Sequence, residues 1–400
     1  MANEKYLVIN AGSSSLKFQA YEMPGEKVLI SGYIEKVGSD ACFWTVKING
    51  EKFKDARPIK NHSEAADVLI EELLKHKIVE SLDEIKGVGH RVLHGGEKYS
   101  DSVIITDEVI ENIKSLTKLG PLHHPGNLAG IEAMKKAFPN VPMVAVWDTA
   151  FHQTMPKKNY FYPVPYEWYT KYGVRKYGFH GTSHKYLTTE MKKRLGREDV
   201  NLIICHIGSG SSIACIKEGK CYDTTMGLTP LDGLMMGTRS GSIDPSILEF
   251  VCKESGKSVE EITNDLNKKS GFLGVCGIVD CRDVEKAMAE GDEMATLAYE
   301  MYTDRVAKYI AQYYLELDGK VDAIVFTAGI GENGPLFRSL VIRKLNALGI
   351  YENKEINDKV AGYLELADAK VSSDDSKIDV LVIPTNEEIV ILRDTYELAN

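Results

Sequence analysis

The chain opens with short apolar stretches separated by turns that contain glycine or asparagine, a pattern typical of β-strands. The pattern predicts strands at residues 6–9, 16–21, 28–34 and 42–48. It begins again in the second half, where strands are predicted at residues 202–206, 212–216 and 221–224. Because each run starts with a strand, a Gly/Ser turn and a second strand, the sequence predicts two similarly built halves.

Apolar residues at helical spacing predict helices between and after these strands. Thr106 is a good N-cap for a helix whose apolar face extends to Leu119, where Gly120-Pro121 ends it. A long helix is predicted at residues 292–317 and a C-terminal helix from about Glu387. Further strands are predicted at residues 141–146 and 380–384, and residues 321–335 predict a strand, a Gly-rich turn and a helix that begins at Pro335.

Size and composition limit the class of protein. The 400 residues exceed what one hydrophobic core usually supports, so two domains are expected. A net charge of −10 without a long basic run argues against nucleic acid as a main partner. No apolar run approaches the roughly 20 residues that cross a bilayer, and the chain starts without a signal pattern. The seven scattered cysteines, without a CxxC pair, predict reduced thiols in a cytoplasmic protein.

Two Gly/Ser turns are candidates for phosphate binding. They lie in LVINAGSSSLKFQAY, residues 7–21, and in LIICHIGSGSSIACI, residues 202–216. The backbone N–H groups of such turns can hold phosphate oxygens without a helix. Lys17 would add a positive charge, and Asn10 could reach a metal ion or its waters. A single Gly/Ser turn is more often only a turn, but one in each half strengthens the phosphate hypothesis.

A third glycine-rich segment suggests a different class of enzyme. Residues 329–334, GIGENG, match the G-x-G-x-x-G fingerprint of dinucleotide-binding dehydrogenases. Pro335 follows the last glycine directly, and the later segment GIYENKEIND is too polar for a buried parallel strand. We therefore expect a Gly-rich turn against a nucleotide here, and not a dehydrogenase site.

Charged and polar residues gather in loops where apolar segments end, and the candidates are Arg91, Asp148, His180 and Arg239. A helix capped by Thr182 or Ser183 is expected after His180, and another is expected to start at Asp244-Pro245 after Arg239. Helix N-termini attract anions. Two arginines and a histidine could together bind a small carboxylate and a transferring phosphoryl group.

Two pairs of histidines at i, i+4 spacing raise the alternative of zinc chemistry. His90 and His94 lie in a strand-like segment, where they are too far apart to share an ion. His180 and His184 lack the glutamate of an H-E-x-x-H motif. For Mg²⁺, the acidic candidates are Asp148 and the pair Glu387-Glu388.

Seven segments together resemble the acetate kinase family: INAGSSSLKF, GHRVLHGG, DTAFHQTMP, KYGFHGTSH, TPLDGLMMGTRSG, FTAGIGEN and PTNEE. They occur in the family's order and extend over essentially the whole chain; propionate kinases are similar and remain the near alternative. The resemblance implies an α/β fold of two duplicated ribonuclease-H-like domains, as in actin, hexokinase and the heat-shock ATPases. The active site is expected in the cleft between these domains. Residues 1–150, joined by a C-terminal helix at about 386–400, would form the first domain, and residues 151–385 the nucleotide-binding second domain.

The resemblance also implies residue roles. Asp148, His180 and Arg239 would be catalytic, and Asn10 and Glu387 would bind Mg²⁺, which Mn²⁺ could replace. Arg91 would hold the acetate carboxylate, with its methyl group against Leu93, Leu122, Phe179 and Pro230. The expected contacts to ATP or ADP are Lys17, His206, Ile207, Gly208, Ser209, Gly210, Asp280, Cys281, Arg282, Gly329, Ile330, Gly331, Glu332 and Asn333. The family also implies a homodimer.

The chain departs from the family's pattern at several positions: His124, Trp147, Ser209, Ser242 and Cys281. Ser209 matters most, because it lies in the second phosphate turn. Some relatives use pyrophosphate instead of ATP, and bulky residues occupy their adenosine site. Gly329 and Ile330 are small enough to leave room, which favours ATP. A nucleotide-gated interaction protein, the non-enzyme alternative, would have no need for both Arg91 and Arg239.

The expected reaction is reversible, direct in-line phosphoryl transfer from ATP to acetate, giving acetyl phosphate and ADP. Such transfer depends mainly on positioning and charge neutralisation. A carboxylic acid with a pKa of about 4 is already ionised at neutral pH, so attack by acetate requires no general base. We therefore interpret Asp148 as a residue that positions Mg²⁺-bound water or the cationic side chains.

Overall fold

The computed structural model describes residues 3–121 and 123–400, which form two compact units. The first unit consists of Met1–Gln153 with Asn386–Asn400, and the second of Thr154–Thr385. Within the described residues, no helix combines the length and apolar composition needed to cross a membrane.

The first unit is built on an eight-stranded sheet with the order β5-β4-β3-β2-β1-β6-β8-β7. Its strands are β1 (Glu4–Ala11), β2 (Ser15–Met23), β3 (Lys27–Glu35), β4 (Phe43–Ile48), β5 (Glu51–Ala56), β6 (Ile85–Val92), β7 (Val103–Ile104) and β8 (Met143–Trp147). Its helices are α1 (His62–Lys75), α2 (Asp107–Ser115) and α3 (His124–Ala137). Strands β1 to β5 pair antiparallel in sequence order, whereas β6 runs parallel to both β1 and β8.

The second unit is built on a six-stranded sheet with the order β11-β10-β9-β12-β14-β13. Its strands are β9 (Leu202–Ile207), β10 (Ser211–Lys217), β11 (Lys220–Thr224), β12 (Ala323–Thr327), β13 (Ala369–Lys370) and β14 (Asp379–Val382). Its helices are α4 (Lys157–Tyr160), α5 (Tyr166–Tyr172), α6 (Gly181–Leu195), α7 (Ser246–Ser255), α8 (Val259–Lys268), α9 (Gly271–Cys276), α10 (Cys281–Ala289), α11 (Glu293–Glu316), α12 (Ala328–Asn333), α13 (Pro335–Lys344) and α14 (Lys354–Asn357). The C-terminal helix α15 (Glu387–Ala399) belongs to the first unit.

The two sheets share one topology. In the second sheet, β9, β10 and β11 pair antiparallel in sequence order, and β12 runs parallel to both β9 and β14. Strands β1, β2, β3, β6 and β8 have the same arrangement in the first sheet. The prediction of an α/β fold made of two similar halves is therefore confirmed.

Both faces of the first sheet are covered around β1 and β6. Leu7 and Ile9 of β1 face a core that also contains Leu69 of α1 and Met134 of α3. On the opposite face, α15 packs so closely against β6 that a Cβ on Gly89 would lie 2.2 Å from Oγ1 of Thr395. Burial on both sides explains why β1 has a continuous apolar run and not a strict alternation.

Local structure differs from the sequence-based expectation at several places. Strand β5 was not predicted, because all of its residues are exposed and most are charged or small, as is typical of an edge strand. The expected Gly-rich turn at residues 329–334 is wrong, because residues 328–333 form helix α12. The carboxylate of Glu332 accepts from the backbone N–H of Ala328 at 2.7 Å and so satisfies the start of this helix.

Two further expectations concern candidate site residues. Thr182 and Ser183 do not cap helix α6: its N-cap is His180, which has the left-handed φ of 58°, and both hydroxyl residues are buried in the first turn. Arg91 does not lie in a loop but on strand β6. The helix after Thr106 ends at Ser115, earlier than expected, and continues as a 3-10 turn at Leu116–Leu119.

Candidate active site

Arg91 and Asp148 form an ion pair in the first unit. Arg91 lies near the end of β6, and Asp148 directly follows the parallel neighbour β8. Nη2 of Arg91 donates to Oδ2 of Asp148 at 2.8 Å. The backbone N–H of Asp148 donates to the carbonyl of Val92 at 2.9 Å. Because the two strands are paired, the sheet itself fixes the distance between the two side chains.

This ion pair is largely removed from solvent. The Asp148 side chain is 1% exposed and that of Arg91 18% exposed. Burial alone would lower the pKa of Arg91, but the negative charges of Asp148 and Glu387 outweigh it and raise the pKa. Nε of Arg91 is buried and has no hydrogen-bond partner among the described residues. Arg91 is therefore a fixed cation with a donor available for an anion.

A depression of about 360 Å³ in the first unit brings Asn10 and Lys17 together with Glu388. Asn10 of β1 is the register partner of Lys17 of β2, whose Nζ lies 5.1 Å from the centre of the Tyr33 ring. Burial raises the pKa of Glu388, and the charge of the neighbouring Glu387 raises it further. The sequence-based prediction chose Glu387 as the metal ligand, whereas Glu388 is the member of the pair that lines this depression.

Leu93 is a buried residue directly after β6. Its backbone N–H donates to Oδ1 of Asn127 at 3.1 Å. A Cβ on Gly120 would lie 3.0 Å from Cδ2 of Leu93 and 3.1 Å from Cδ2 of His124. Leu93 is thus packed close to His124, one of the departures from the family's pattern. Leu122 lies outside the described residues.

His180 and Arg239 meet at the β9–β10 turn of the second unit. A Cβ on Gly210 would lie 3.2 Å from Nε2 of His180 and 3.7 Å from Nη1 of Arg239. Nη1 of Arg239 also donates to the carbonyl of Pro230 at 3.1 Å, and burial lowers the pKa of this arginine. Phe179 precedes His180 and is buried. The turn predicted to hold phosphate therefore has side-chain nitrogens of both His180 and Arg239 beside it.

A network of hydrogen bonds surrounds His180. Nδ1 of His180 and Nε2 of His184 each lie 2.9 Å from Oγ of Ser212. The His180 ring stacks on His206 with 4.1 Å between ring centres. Nδ1 of His206 lies 2.8 Å from Oγ of Ser183. Sequence analysis missed Ser212. The available signal was the pair of serines that begins the otherwise apolar strand β10.

A cavity of about 830 Å³ in the second unit adjoins this turn. Arg239 lines it together with eight of the predicted nucleotide contacts, which are Gly208, Ser209, Asp280, Cys281, Arg282, Gly329, Ile330 and Asn333. Much of the remaining wall, which sequence analysis missed, is apolar or aromatic and includes Phe272, Val279, Tyr302 and Tyr363. These residues are far apart in sequence and carry no common motif.

The other predicted nucleotide contacts occupy different positions. The Ile207 side chain is buried in the core of the second unit, and His206 stacks on His180. Oε1 of Glu332 accepts from the backbone N–H groups of Ala328 and Thr385, so this carboxylate supports the backbone and does not line the cavity. Gly331 contributes its carbonyl to the buried Arg338, and Lys17 lies in the first unit.

The start of helix α10 places charged residues at the rim of the cavity. Oδ1 of Asp280 caps this helix by accepting from the backbone N–H of Arg282 at 2.9 Å. The side-chain hydrogen bonds between the same two residues lower the pKa of Asp280 to about 2. Burial raises the pKa of the Cys281 thiol to about 12, so the thiol is neutral at physiological pH.

Two more departures from the family's pattern have structural partners. Oγ of Ser242 donates to Oδ1 of Asp232 at 2.6 Å, which also accepts from the backbone N–H of Gly233 at 2.9 Å. These bonds brace the loop that carries Arg239. The buried Trp147 stacks on Tyr99 with 4.4 Å between ring centres.

Comparison with known proteins identifies relatives along the whole chain. The model of the Acetokinase family matches residues 5–393. An acetate kinase of Geobacillus sp. (strain WCH70) is 52% identical over 399 residues, which cover 99% of each chain. The crystal structure of Porphyromonas gingivalis acetate kinase aligns with a TM-score of 0.93 and 42% identity, covering 99% of this chain and 100% of that one. A propionate kinase of Francisella tularensis subsp. tularensis SCHU S4 gives the same TM-score of 0.93, identity of 42% and coverage of 99% and 100%.

The fold and its relatives thus define a kinase whose acceptor is a carboxylate group. The chain belongs to the acetokinase family. Membership of this family excludes the dehydrogenase suggested by residues 329–334.

Proposed function

We propose that the protein transfers the γ-phosphoryl group of ATP to acetate, reversibly and in one direct in-line step, with acetyl phosphate and ADP as products. The observation that carries this proposal is the position of Arg239, which lines the large cavity while its Nη1 points at the Gly210 turn beside His180. A nucleotide in the cavity would present its terminal phosphate at this turn.

Arg239 and His180 are the proposed catalytic residues. In phosphoryl transfer, negative charge spreads over the equatorial oxygens of the transferring group, and fixed donors stabilise it. Both side chains are held in place before substrate arrives, Arg239 by the Pro230 carbonyl and His180 by Ser212. They can therefore stabilise the charge without rearranging.

Arg91 is the proposed acceptor-binding residue. A guanidinium presents its donors in a planar fork that matches a carboxylate. Asp148 occupies one donor, and the buried Nε lacks a protein partner within the described residues. In this proposal Asp148 orients Arg91 and removes no proton, because acetate is already ionised at neutral pH.

The methyl group of acetate requires an apolar contact, and Leu93 is the proposed one in the first unit. The close packing of Leu93 near Gly120 and His124 supports the proposal that this contact accepts a methyl group better than a longer chain. Acetate is therefore the proposed acceptor, with propionate the alternative. Leu122, Phe179 and Pro230 remain further proposed acceptor contacts.

The residues at the carboxyl-terminal helix suit Mg²⁺. This ion prefers oxygen ligands and usually takes only one or two protein carboxylates in addition to substrate phosphates and water. Asn10 and Glu387 are the proposed ligands, and Glu388 is added because it shares the depression with Asn10. The raised pKa of Glu388 reflects burial beside a second carboxylate, which a divalent cation would relieve. When bound, Mg²⁺ or Mn²⁺ would neutralise charge on the phosphates.

ATP is the proposed donor in preference to pyrophosphate. Ligand pockets commonly measure about 300–1,000 Å³. The cavity of about 830 Å³ lies in this range, and neither Gly329 nor Ile330 fills it. The apolar and aromatic residues of its wall suit a nucleobase. Pyrophosphate has no nucleobase and would not need such a wall.

We further propose that each unit is one ribonuclease-H-like domain and that two chains form a cytoplasmic homodimer. No described residue of helix α7 is buried, and its apolar residues Ile247 and Phe250 are 40% and 67% exposed. Tyr166 and Tyr172 of α5 are 65% and 60% exposed. Exposed apolar residues on two helices support a protein–protein interface on the second unit.

The direct test of this function is trapping of the product. Purified protein is incubated with ATP, Mg²⁺, acetate and hydroxylamine, which converts an acyl phosphate to a hydroxamate. Hydroxamate should form only when both ATP and acetate are present. Replacing ATP by pyrophosphate, or acetate by propionate, should give much less product.

A further inference from the structure

The hydroxyl group of Ser212 lies between two imidazole rings. Its Oγ is 2.9 Å from Nδ1 of His180 and 2.9 Å from Nε2 of His184. Ser212 and His184 are both fully buried, so water does not compete for these bonds. Within the described residues, the Ser212 hydroxyl has no third hydrogen-bond partner.

The Ser212 hydroxyl has one proton and two acceptor lone pairs. If both rings donated to it, its own buried proton would have no partner, which is costly. Two neutral arrangements satisfy all three groups. In the first, Nε2–H of His184 donates to Ser212, and Ser212 donates to Nδ1 of His180. The ring proton of His180 is then on Nε2. In the second, every donor is reversed, so that His180 carries its proton on Nδ1 and its Nε2 has only a lone pair.

The surroundings of Nε2 distinguish the two arrangements. Nε2 of His180 and Nη1 of Arg239 lie 3.2 Å and 3.7 Å from one point, the Cβ position of Gly210. The two neutral arrangements differ in what Nε2 presents to this point, an N–H donor in the first and a lone pair in the second. A neutral ring can stabilise an anionic phosphoryl group at this point only if Nε2 carries the proton.

We infer that Ser212 and His184 are positioning residues that fix the tautomer of His180, so that its Nε2–H donates to the transferring phosphoryl group. This inference rests on the proposed function, because the phosphoryl group supplies the anion. Stacking on His206 holds the plane of the ring, while the Ser212 hydroxyl sets which nitrogen is the donor. His184 acts through Ser212 and does not touch the substrate.

The tautomer can be read directly by NMR, independently of activity. The chain has ten histidines, and its ¹⁵N-histidine-labelled form gives two nitrogen signals for each. The signals of His180 are assigned as those lost in His180→Gln. At neutral pH we expect the His180 proton on Nε2. A proton on Nδ1, or on both nitrogens, would overturn the inference.

Variants of Ser212 test the consequence for turnover. Removing a group that orients a functional histidine typically costs about 10–100-fold. Ser212→Ala should lower kcat by about this factor with little change in KM for ATP, and His180 should no longer occupy a single tautomer. Ser212→Thr keeps the hydroxyl and should restore most of kcat. Wild-type kcat in Ser212→Ala would contradict the inference.

The matched control is Thr224→Val. Thr224 is on the neighbouring strand β11, and its buried hydroxyl donates to the Ile213 carbonyl at 3.1 Å. Its loss removes a buried hydroxyl from the same sheet without touching His180, so kcat should stay near the wild-type value. An equal loss of kcat in Thr224→Val and Ser212→Ala would assign the effect to general packing and overturn the inference.

Variants of His184 test the second step of the network. His184→Gln can still donate to Ser212 and should keep the Nε2–H tautomer of His180, whereas His184→Leu should lose it and lower kcat. If His180 has the same tautomer in both variants, the role of His184 is overturned. If the wild-type chain forms no acyl phosphate, the proposed function fails; if it does so with His180 protonated on Nδ1, only this inference fails.

Discussion

At the scale of single residues, the Arg91–Asp148 pair carries the prediction for the proposed acceptor side of the reaction. Asp148→Asn keeps the shape of the side chain but removes the charge that holds Arg91 at 2.8 Å. We expect kcat/KM for acetate to fall by about 10–100-fold, because a misplaced binding group is costly. The shape of the pH profile should not change.

The Mg²⁺ dependence of Asp148→Asn separates the possible roles of this residue. If Asp148 orients Arg91, added Mg²⁺ should not restore activity. Recovery at high Mg²⁺ would instead assign Asp148 to the metal, and an activity loss that follows a single titration would assign it to proton transfer.

Arg239 carries the strongest single-residue prediction on the phosphoryl side. Arg239→Ala should lower kcat by about 10²–10³-fold, the usual effect of losing one preorganised charge contact. The thermal unfolding midpoint should change little, because the Arg239 side chain makes few hydrogen bonds within its unit. Arg57→Ala, which removes an exposed cation paired with Glu71, is the control and should leave kcat unchanged. Near wild-type turnover in Arg239→Ala would remove Arg239 from the mechanism.

Leu93 carries the prediction on acid size. An extra methylene on the substrate gains about 0.8 kcal/mol if it fits and costs roughly 1–3 kcal/mol if it overpacks. The close contacts near Gly120 and His124 favour overpacking. We therefore expect acetate to be preferred over propionate by about 10-fold or more in kcat/KM. Leu93→Ala should reduce or reverse this preference by improving propionate.

The propionate/acetate ratio of kcat/KM is the deciding quantity for Leu93→Ala. If Leu93 is only a core residue, the substitution lowers the thermal unfolding midpoint and leaves the ratio as in the wild type. That result would remove Leu93 from the acceptor contacts.

At the scale of elements, the buried Arg338 connects helix α12, which lines the proposed nucleotide cavity, to residues 357–360. Arg338 of α13 is fully buried and donates to the carbonyls of Gly331 and Glu332 in α12 at 2.8 Å and 2.9 Å. Its other donors reach the side chain and carbonyl of Asn357 and the carbonyl of Val360. All five N–H groups of the guanidinium are therefore satisfied.

Arg338→Met should destabilise the protein and weaken nucleotide binding together. Each buried polar group left without a partner costs about 1–3 kcal/mol, so a loss of at least 3 kcal/mol of unfolding free energy is expected. Because α12 lines the cavity, KM for ATP should rise more than KM for acetate. Denaturant unfolding and steady-state kinetics measure the two effects, and an unchanged KM for ATP would show that α12 does not depend on Arg338.

Regular elements could be predicted from the sequence, whereas positions set by distant partners could not. Strands β1 and β9 have continuous apolar runs, β2 alternates apolar and polar residues, and α11 has a clear N-cap in Asp292. Helix α12 was missed, because its start depends on the Glu332 carboxylate and the three glycines of residues 329–334 indicate a turn. The left-handed His180 that begins α6 also has no local signal.

The same distinction applies to the candidate site. Residues within compact motifs, such as Arg91 and Asp148, could be named from sequence and are in direct contact. Ser212 and the aromatic wall around Phe272 were not recognised, and Glu388 was named only as a member of the pair from which Glu387 was chosen. Their positions follow from the register of strands and the packing of helices that are distant in sequence, so no spacing along the chain indicates them.

At the scale of the whole molecule, the homodimer proposal depends on the uncovered helix α7. Phe250→Glu places a charge on its most exposed apolar residue and should convert a dimer of about twice 44.5 kDa into a monomer in light scattering. Leu315→Glu is the matched control, because Leu315 of α11 is 73% exposed and should tolerate the charge without dissociation. A wild-type monomer, or a dimer unaffected by Phe250→Glu, would contradict the assignment of this face.

The central claim is that one chain transfers phosphate directly from ATP to acetate with Arg91 on the acceptor side and Arg239 on the phosphoryl side. The most direct measurement is hydroxamate formation from ATP, acetate and Mg²⁺ by the wild type, Arg91→Ala and Arg239→Ala, each at saturating substrates. The account predicts rapid, acetate-dependent product formation by the wild type and a loss of about 10²–10³-fold in each variant. Acetate-independent ATP hydrolysis without hydroxamate, or wild-type rates in both variants, would contradict it.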